Sequence, residues 1–259
     1  MHSKLMGSKS TLSALPAVPA IVLTAVAAYF GTGLNPHWWL TWVAPLPILL
    51  VAPRMRWWPA WASAFIAWAL GATNVWHYLH IIIELPLSIC VLAVAGPALI
   101  FSGGVMLFRR FVLNQRPLAA ALIFPLLWVA FEYLIEFKNI NGTWGNLAYT
   151  QPDFLPVMQL ASITGVWGIS FAVLFFSADI AALVYARRRL ALLTVSAAFY
   201  IVVFGFGFWR LHQPPPAASV TVGLISSDVK SDLFPYEEQH GLALAERYAA
   251  RDNQLAAQG

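Results

Sequence analysis

Charge is what this sequence has least of. Only 10% of its 259 residues are Asp, Glu, Lys or Arg, against roughly 25% in soluble domains. Hydrophobic residues make up 60%, and the mean hydropathy is +0.70. A soluble globular chain is thereby excluded, and an integral membrane protein is implied. Cysteine is nearly absent as well: the single Cys90 allows no internal disulfide and sits in an apolar run, so it carries no information about redox compartment. The basic excess, net +4 with a pI near 9.4, is not gathered into one patch. It occurs as small clusters between apolar runs, which excludes a polyanion-binding arm and reads as membrane topology. No cofactor motif and no metal-ligand set stands out.

What is present is a succession of apolar runs. Lys4 and Lys9 precede Leu12–Phe30, which resembles a secretory leader with a small-residue site at Ala25-Val26-Ala27 but reads better as an uncleaved signal anchor, since six more runs follow. The second run, 38–51, is short of the roughly 20 residues needed to cross about 30 Å of hydrocarbon. The first two runs therefore predict a shallow hairpin. The third, 57–83, and the fourth, 85–108, are long enough to span. Pro117 opens the fifth, where its missing N–H costs nothing, and the run reaches Phe137. The sixth, 154–186, predicts a long or tilted helix, and the seventh is 190–209. The fold expected is an all-α polytopic bundle of about seven segments over residues 1–210.

Flanking Lys and Arg orient such a bundle. With the N-terminus cytoplasmic, the inner side collects Lys4, Lys9, Arg54, Arg56, Arg109, Arg110, Arg116, Arg187, Arg188 and Arg189, whereas the outer loops hold Lys138, Arg210 and the acids Glu84, Glu132, Glu136 and Asp153. An odd number of segments then leaves the C-terminal tail outside. Most tryptophans lie near segment ends, as interfacial rings do.

Residues 211–218, with Pro214-Pro215-Pro216, read as a stiff extended linker. Beyond it, Ser219–Ile225 alternates in the manner of a strand, and about 236–258 repeats apolar residues at helical spacing. A strand followed by a helix is half of a βαβ unit, whose strand lacks the neighbour a parallel sheet requires. The 219–259 tail is therefore expected either to continue or to be poorly ordered.

Several polar residues interrupt the apolar pattern. Glu132 and Glu136 share a helix face, as paired carboxylates would, or else mark where the fifth segment leaves lipid. The loop Trp144–Gln151 is placed either to close over a lipid substrate, with Trp144 and Tyr149 against acyl chain and headgroup and Gln151 beside them, or to act as an interfacial anchor. Asp179 lies about 12 Å inside the sixth segment, where a charge costs roughly 2.5–3.5 kcal/mol on insertion scales. A functional carboxylate and one paired to a neighbouring helix are both open. His77 and His80 with Asn74 supply only two metal-type ligands and read as interfacial polar groups. Glu237, Glu238 and Glu246 read as a solvated helix face, and Asn141-Gly142-Thr143 matches the glycosylation sequon by a pattern common in chance.

The runs Trp144-Gly145-Asn146-Leu147-Ala148-Tyr149-Thr150-Gln151 and Leu160-Ala161-Ser162-Ile163-Thr164-Gly165-Val166-Trp167-Gly168-Ile169-Ser170-Phe171 resemble the bacterial apolipoprotein N-acyltransferase family. Gly33–Trp39 with Ala44-Pro45-Leu46-Pro47 is similar to that family's first hairpin, and Val220–Ser227 to the first strand of its nitrilase-like domain. The resemblance implies an inner-membrane enzyme that takes an acyl chain from a phospholipid donor onto a cysteine and passes it to the amino group of a diacylated lipoprotein acceptor. It implies a Glu base, a Lys oxyanion partner and a Cys nucleophile in the nitrilase-like domain, all beyond residue 259, with no nucleic acid involved. Cys90 does not match the nucleophile and reads as a helix-packing residue. The chain is thus expected to be catalytically silent, with Trp144, Tyr149, Gln151, Glu132 and Asp179 as substrate-binding candidates. Rival readings are a non-catalytic membrane scaffold and a transporter; the latter would want more midplane charges and two similar halves.

Overall fold

A computed structural model describes residues 17–137, 142–214 and 238–256, and every regular element among them is helical. The order is α1 (Ala17–Gly31), α2 (Trp38–Val43), α3 (Leu46–Val51), α4 (Trp57–Gly71), α5 (Leu87–Leu113), α6 (Pro117–Glu136), α7 (Leu155–Met158), α8 (Ala161–Tyr185), α9 (Arg189–Leu211) and α10 (Glu238–Ala256). Four of them, α5, α6, α8 and α9, are long and apolar enough to cross a membrane.

Consecutive helices are packing neighbours: α1 lies on α4, α4 on α5, α5 on α6, and α6 on α8, while the short α2 and α3 fit between α1 and α8. The α1–α4 contact has a clear sequence cause. Ala20, Thr24, Ala28 and Gly31 form a buried stripe on α1, and Ala60, Ala64, Ala67 and Gly71 form one on α4. Small residues let two backbones approach closely, which is how helices associate where lipid removes the hydrophobic drive. A Cβ on Gly71 would lie only 2.4 Å from that of Ala28. Farther in, Trp68 stacks on Phe101 at 4.4 Å, Phe124 meets Phe101 edge-on at 5.6 Å, and Trp128 meets Trp68 at 5.0 Å. Such pairs contribute about 0.5–1.5 kcal/mol each beyond area burial. The outward faces, Ile201 and Val202 on α9 among them, are apolar and exposed, as a lipid-facing surface must be.

Two expectations change. The third run is not one long span: α4 stops at Gly71, and the chain tightens through a 3-10 turn, Ala72–Val75, and a π turn, Tyr78–Ile82. Asn74 Nδ2 donates to the Tyr29 carbonyl at 2.9 Å and to Thr32 Oγ1 at 2.8 Å, tying this stretch to the end of α1. The sixth run is also divided. After α7 and a turn, α8 is itself interrupted at Gly165, whose φ of 65° and ψ of −168° suit no side-chain-bearing residue. The second run is observed as two short helices, α2 and α3, separated by Ala44-Pro45. In the tail, α10 occupies the stretch where helical spacing predicts a helix. The strand expected at 219–225 lies outside the described residues, as does Asn141 of the sequon.

Candidate functional site

The loop between α6 and α8 is the most heavily hydrogen-bonded part of the bundle. Its described part from residue 142 is a turn at 142–145, in which Gly142 and Gly145 take φ values of 59° and 92°, and tightens into a 3-10 turn over Leu147–Thr150 before α7. Such a turn leaves its first N–H groups without backbone partners. Here side chains from the helices supply them. Leu147 N–H donates to Glu132 Oε1 at 2.7 Å, and Ala148 N–H donates to Ser170 Oγ at 3.1 Å. Glu132 Oε1 also accepts from Trp128 Nε1, one helical turn earlier on α6, at 2.9 Å. Its second oxygen is buried without a partner among the described residues.

The far end of the loop is fixed by Gln151, whose side chain is fully buried. Its Oε1 accepts from Trp42 Nε1 at 2.8 Å, and its Nε2 faces Thr41 Oγ1 at 2.7 Å, Thr150 Oγ1 at 2.8 Å and the Trp38 carbonyl at 3.1 Å. Thr150 Oγ1 in turn donates to the Leu147 carbonyl at 2.7 Å. Phe154 stacks on Trp38 at 4.5 Å and meets Trp42 edge-on at 6.0 Å. The next step, α7, rests on α9 where Gly207 leaves no room: a Cβ there would sit 2.1 Å from the Pro156 carbonyl oxygen. One loop is thus pinned to α2, α6, α8 and α9.

Of the predicted site residues, the geometry brings four into this one neighbourhood. Glu132 and Gln151 are the clamps, and Trp144 and Tyr149 are the rim, 48% and 54% exposed. The Tyr149 hydroxyl shares a 2.7 Å hydrogen bond with Thr143 Oγ1. The Glu132 carboxylate is buried and turned inward, with the Leu147 amide and the Trp128 indole as its donors. Asp179 is not part of the site. It lies nine residues past Ser170 on α8, about 13 Å along the axis, buried, with its Oδ1 unpartnered among the described residues. Glu136 keeps one buried oxygen without a described partner.

Cys90 and His80, also flagged, make local contacts. Cys90 is wholly buried and its Sγ points to the Leu85 carbonyl at 3.6 Å. The same carbonyl lies 3.3 Å from His80 Nδ1. Residues that sequence reasoning passed over are Thr41, Trp42, Thr150 and Ser170. The available signal was hydroxyl residues inside or beside apolar runs, where a polar group needs a partner. Chemically, the arrangement is a rigid polar clamp carrying an exposed aromatic rim.

Residues 15–178 match the model of the apolipoprotein N-acyltransferase N-terminal domain. The chain is 28% identical over 252 residues, 92% of its length, to the apolipoprotein N-acyltransferase of Geobacter metallireducens, covering 48% of that protein. It is 29% identical over 216 residues to apolipoprotein N-acyltransferase 1 of Treponema denticola, 78% of this chain and 38% of that one. With the Coxiella burnetii apolipoprotein N-acyltransferase it shares 28% over 202 residues, 73% of this chain and 41% of the relative. The chain therefore spans about half the length, or less, of these relatives. Carrying the family's N-terminal domain over more than half of its residues, it belongs to the apolipoprotein N-acyltransferase family.

Proposed function

We propose that this chain is the membrane part of an N-acyltransferase of the bacterial inner membrane, with an acyl chain moving from a phospholipid, through an acyl-thioester, to the amino group of a diacylated lipoprotein cysteine. In this reading a carboxylate takes the thiol proton, the thiolate attacks the phospholipid ester carbonyl, a lysine stabilises the oxyanion, and lysophospholipid leaves with that proton; the lipoprotein amine then attacks the thioester carbonyl, forming the amide and releasing the cysteine thiol. None of those three groups is assigned to residues 1–259, and the bundle itself does no covalent chemistry. The observation that carries this is Cys90: the one thiol of the chain is fully buried and engaged with a helix-start carbonyl, where no phospholipid ester reaches it.

The work assigned to the bundle is to hold lipid. Trp144 and Tyr149, exposed on a loop that Glu132 and Gln151 fix at both ends, suit an interfacial platform that packs an acyl chain and headgroup beside the nitrilase-like domain. A fixed platform costs less ordering on binding than a mobile loop. Seven membrane segments, with the basic ends cytoplasmic and α10 on the outer side, complete the proposal. Its test is incubation of the purified chain with phospholipid labelled in the acyl chain. No protein-bound label is expected, and a hydroxylamine-sensitive adduct at Cys90 would overturn the assignment.

A further inference from the structure

At the opposite end of the sequence pattern from that loop, three separate segments bring arginines together. Arg109 on α5 spends its guanidinium on backbone: Nε donates to the Ala52 carbonyl at 3.2 Å and Nη2 to the Met55 carbonyl at 2.9 Å. That fixes the 3-10 turn Ala52–Arg54 against α5. Arg54, so held, places its guanidinium 5.4 Å from the centre of the Tyr185 ring, and the Tyr185 hydroxyl donates to the Leu50 carbonyl. Tyr185 is the last residue of α8, so Arg187, Arg188 and Arg189 follow immediately, all exposed. Arg56 and Arg110 flank the group, also exposed.

The segments 52–58, 109–117 and 185–190 contain no aspartate or glutamate. Arginines within a Debye length, about 8–10 Å, repel one another unless an anion sits among them. A guanidinium lying over an aromatic ring keeps N–H groups free for a phosphate oxygen, with less side-chain freedom to lose on binding. Beside Arg56, Trp57 and Trp58 are 48% and 69% exposed, offering apolar surface to a chain attached to that phosphate.

We propose that this end of the bundle is a binding site for an anionic phospholipid headgroup, with Arg54 and Arg187–Arg189 around the phosphodiester and Trp57 and Trp58 alongside the glycerol and upper acyl chain. A lipid with two phosphodiesters binds more tightly than one with a single phosphodiester, and a zwitterionic lipid binds weakest.

The experiment is titration of the detergent-purified chain with fluorescent short-chain lipids of those three classes. Each arginine near an anionic headgroup contributes about 1 kcal/mol, or roughly fivefold in affinity. Arg54→Gln is expected to weaken binding of the two-phosphodiester lipid about fivefold, and the exposed triple variant Arg187→Gln/Arg188→Gln/Arg189→Gln more than that. Arg210→Gln, at the far end of α9, leaves it unchanged. Arg187–Arg189 also orient the bundle, so the triple variant is titrated after protease mapping in vesicles shows the wild-type orientation, and it then reads the site even where Arg54→Gln lowers stability. Equal loss in Arg210→Gln, equal affinity for the zwitterionic lipid, or displacement of the lipid by millimolar inorganic phosphate would each overturn the proposal.

Discussion

Replacing Gln151 by leucine tests the clamp with the least change in volume. The carboxamide has one acceptor oxygen, used by Trp42 Nε1, and two N–H groups facing three acceptors. On its removal most of the partners keep another bond. Thr41 Oγ1 still donates to the Trp38 carbonyl at 2.6 Å, and Thr150 Oγ1 still donates to the Leu147 carbonyl. Only the Trp42 indole N–H, in a buried side chain, is left with no acceptor. An orphaned buried donor costs about 1–3 kcal/mol, while an interhelical hydrogen bond in a membrane protein is worth about 0.6 kcal/mol on average. Because Trp42 lies inside the protein and not against lipid or water, the larger figure governs, and Gln151→Leu is expected to cost about 2 kcal/mol. Reversible unfolding in mixed micelles by added SDS measures it. In a Trp42→Phe background the orphan no longer exists, so the same substitution should cost well under half as much. A loss below about 0.6 kcal/mol, or equal losses in the two backgrounds, would refute the reasoning.

Glu132→Ala strips the acceptor from both Leu147 N–H and Trp128 Nε1, for a loss of about 2–6 kcal/mol at 1–3 per orphaned donor; Glu132→Gln keeps an acceptor oxygen and loses much less, and hydrogen exchange at the Leu147 amide reads the difference directly. Gly207→Ala drives a Cβ into the Pro156 carbonyl and should destabilise by about 1–3 kcal/mol, visible as earlier proteolysis of the α7 segment. Gly165→Ala forces a side chain into a backbone conformation that only glycine adopts readily, for about 1–3 kcal/mol and a lower unfolding midpoint in detergent.

How much of this was legible beforehand depended on period and length. The apolar runs gave helices because nothing polar within them competed, and Pro117 marked the start of α6 to the residue. Where helices stop inside an apolar run was not legible. Gly71 and Asn74 end their segment against α1, at Ala28, Tyr29 and Thr32, and Gly165 bends its own helix through a positive φ; hydropathy has no term for either. The site was legible in part for the same reason. Trp144 and Tyr149 stood out by residue type, and Gln151 by resemblance. The role of Glu132 was not readable, since the amide it serves lies 15 residues on, across a loop. Trp42 was misplaced for a related reason: an indole near a segment end suggests the interface, but this one is buried at 7% exposure because Gln151 satisfies its N–H inside.

The proposed orientation puts the aromatic-rimmed loop in the outer leaflet and the arginine-rich segments in the inner leaflet. The most direct test places a photo-crosslinking residue at Trp144, and separately at Trp58, in vesicles of known protein orientation whose phospholipid is radiolabelled in one leaflet only. Position 144 is expected to capture lipid from the outer leaflet alone and position 58 from the inner leaflet alone. Capture of inner-leaflet lipid at 144, or of the same leaflet at both positions, would contradict the account.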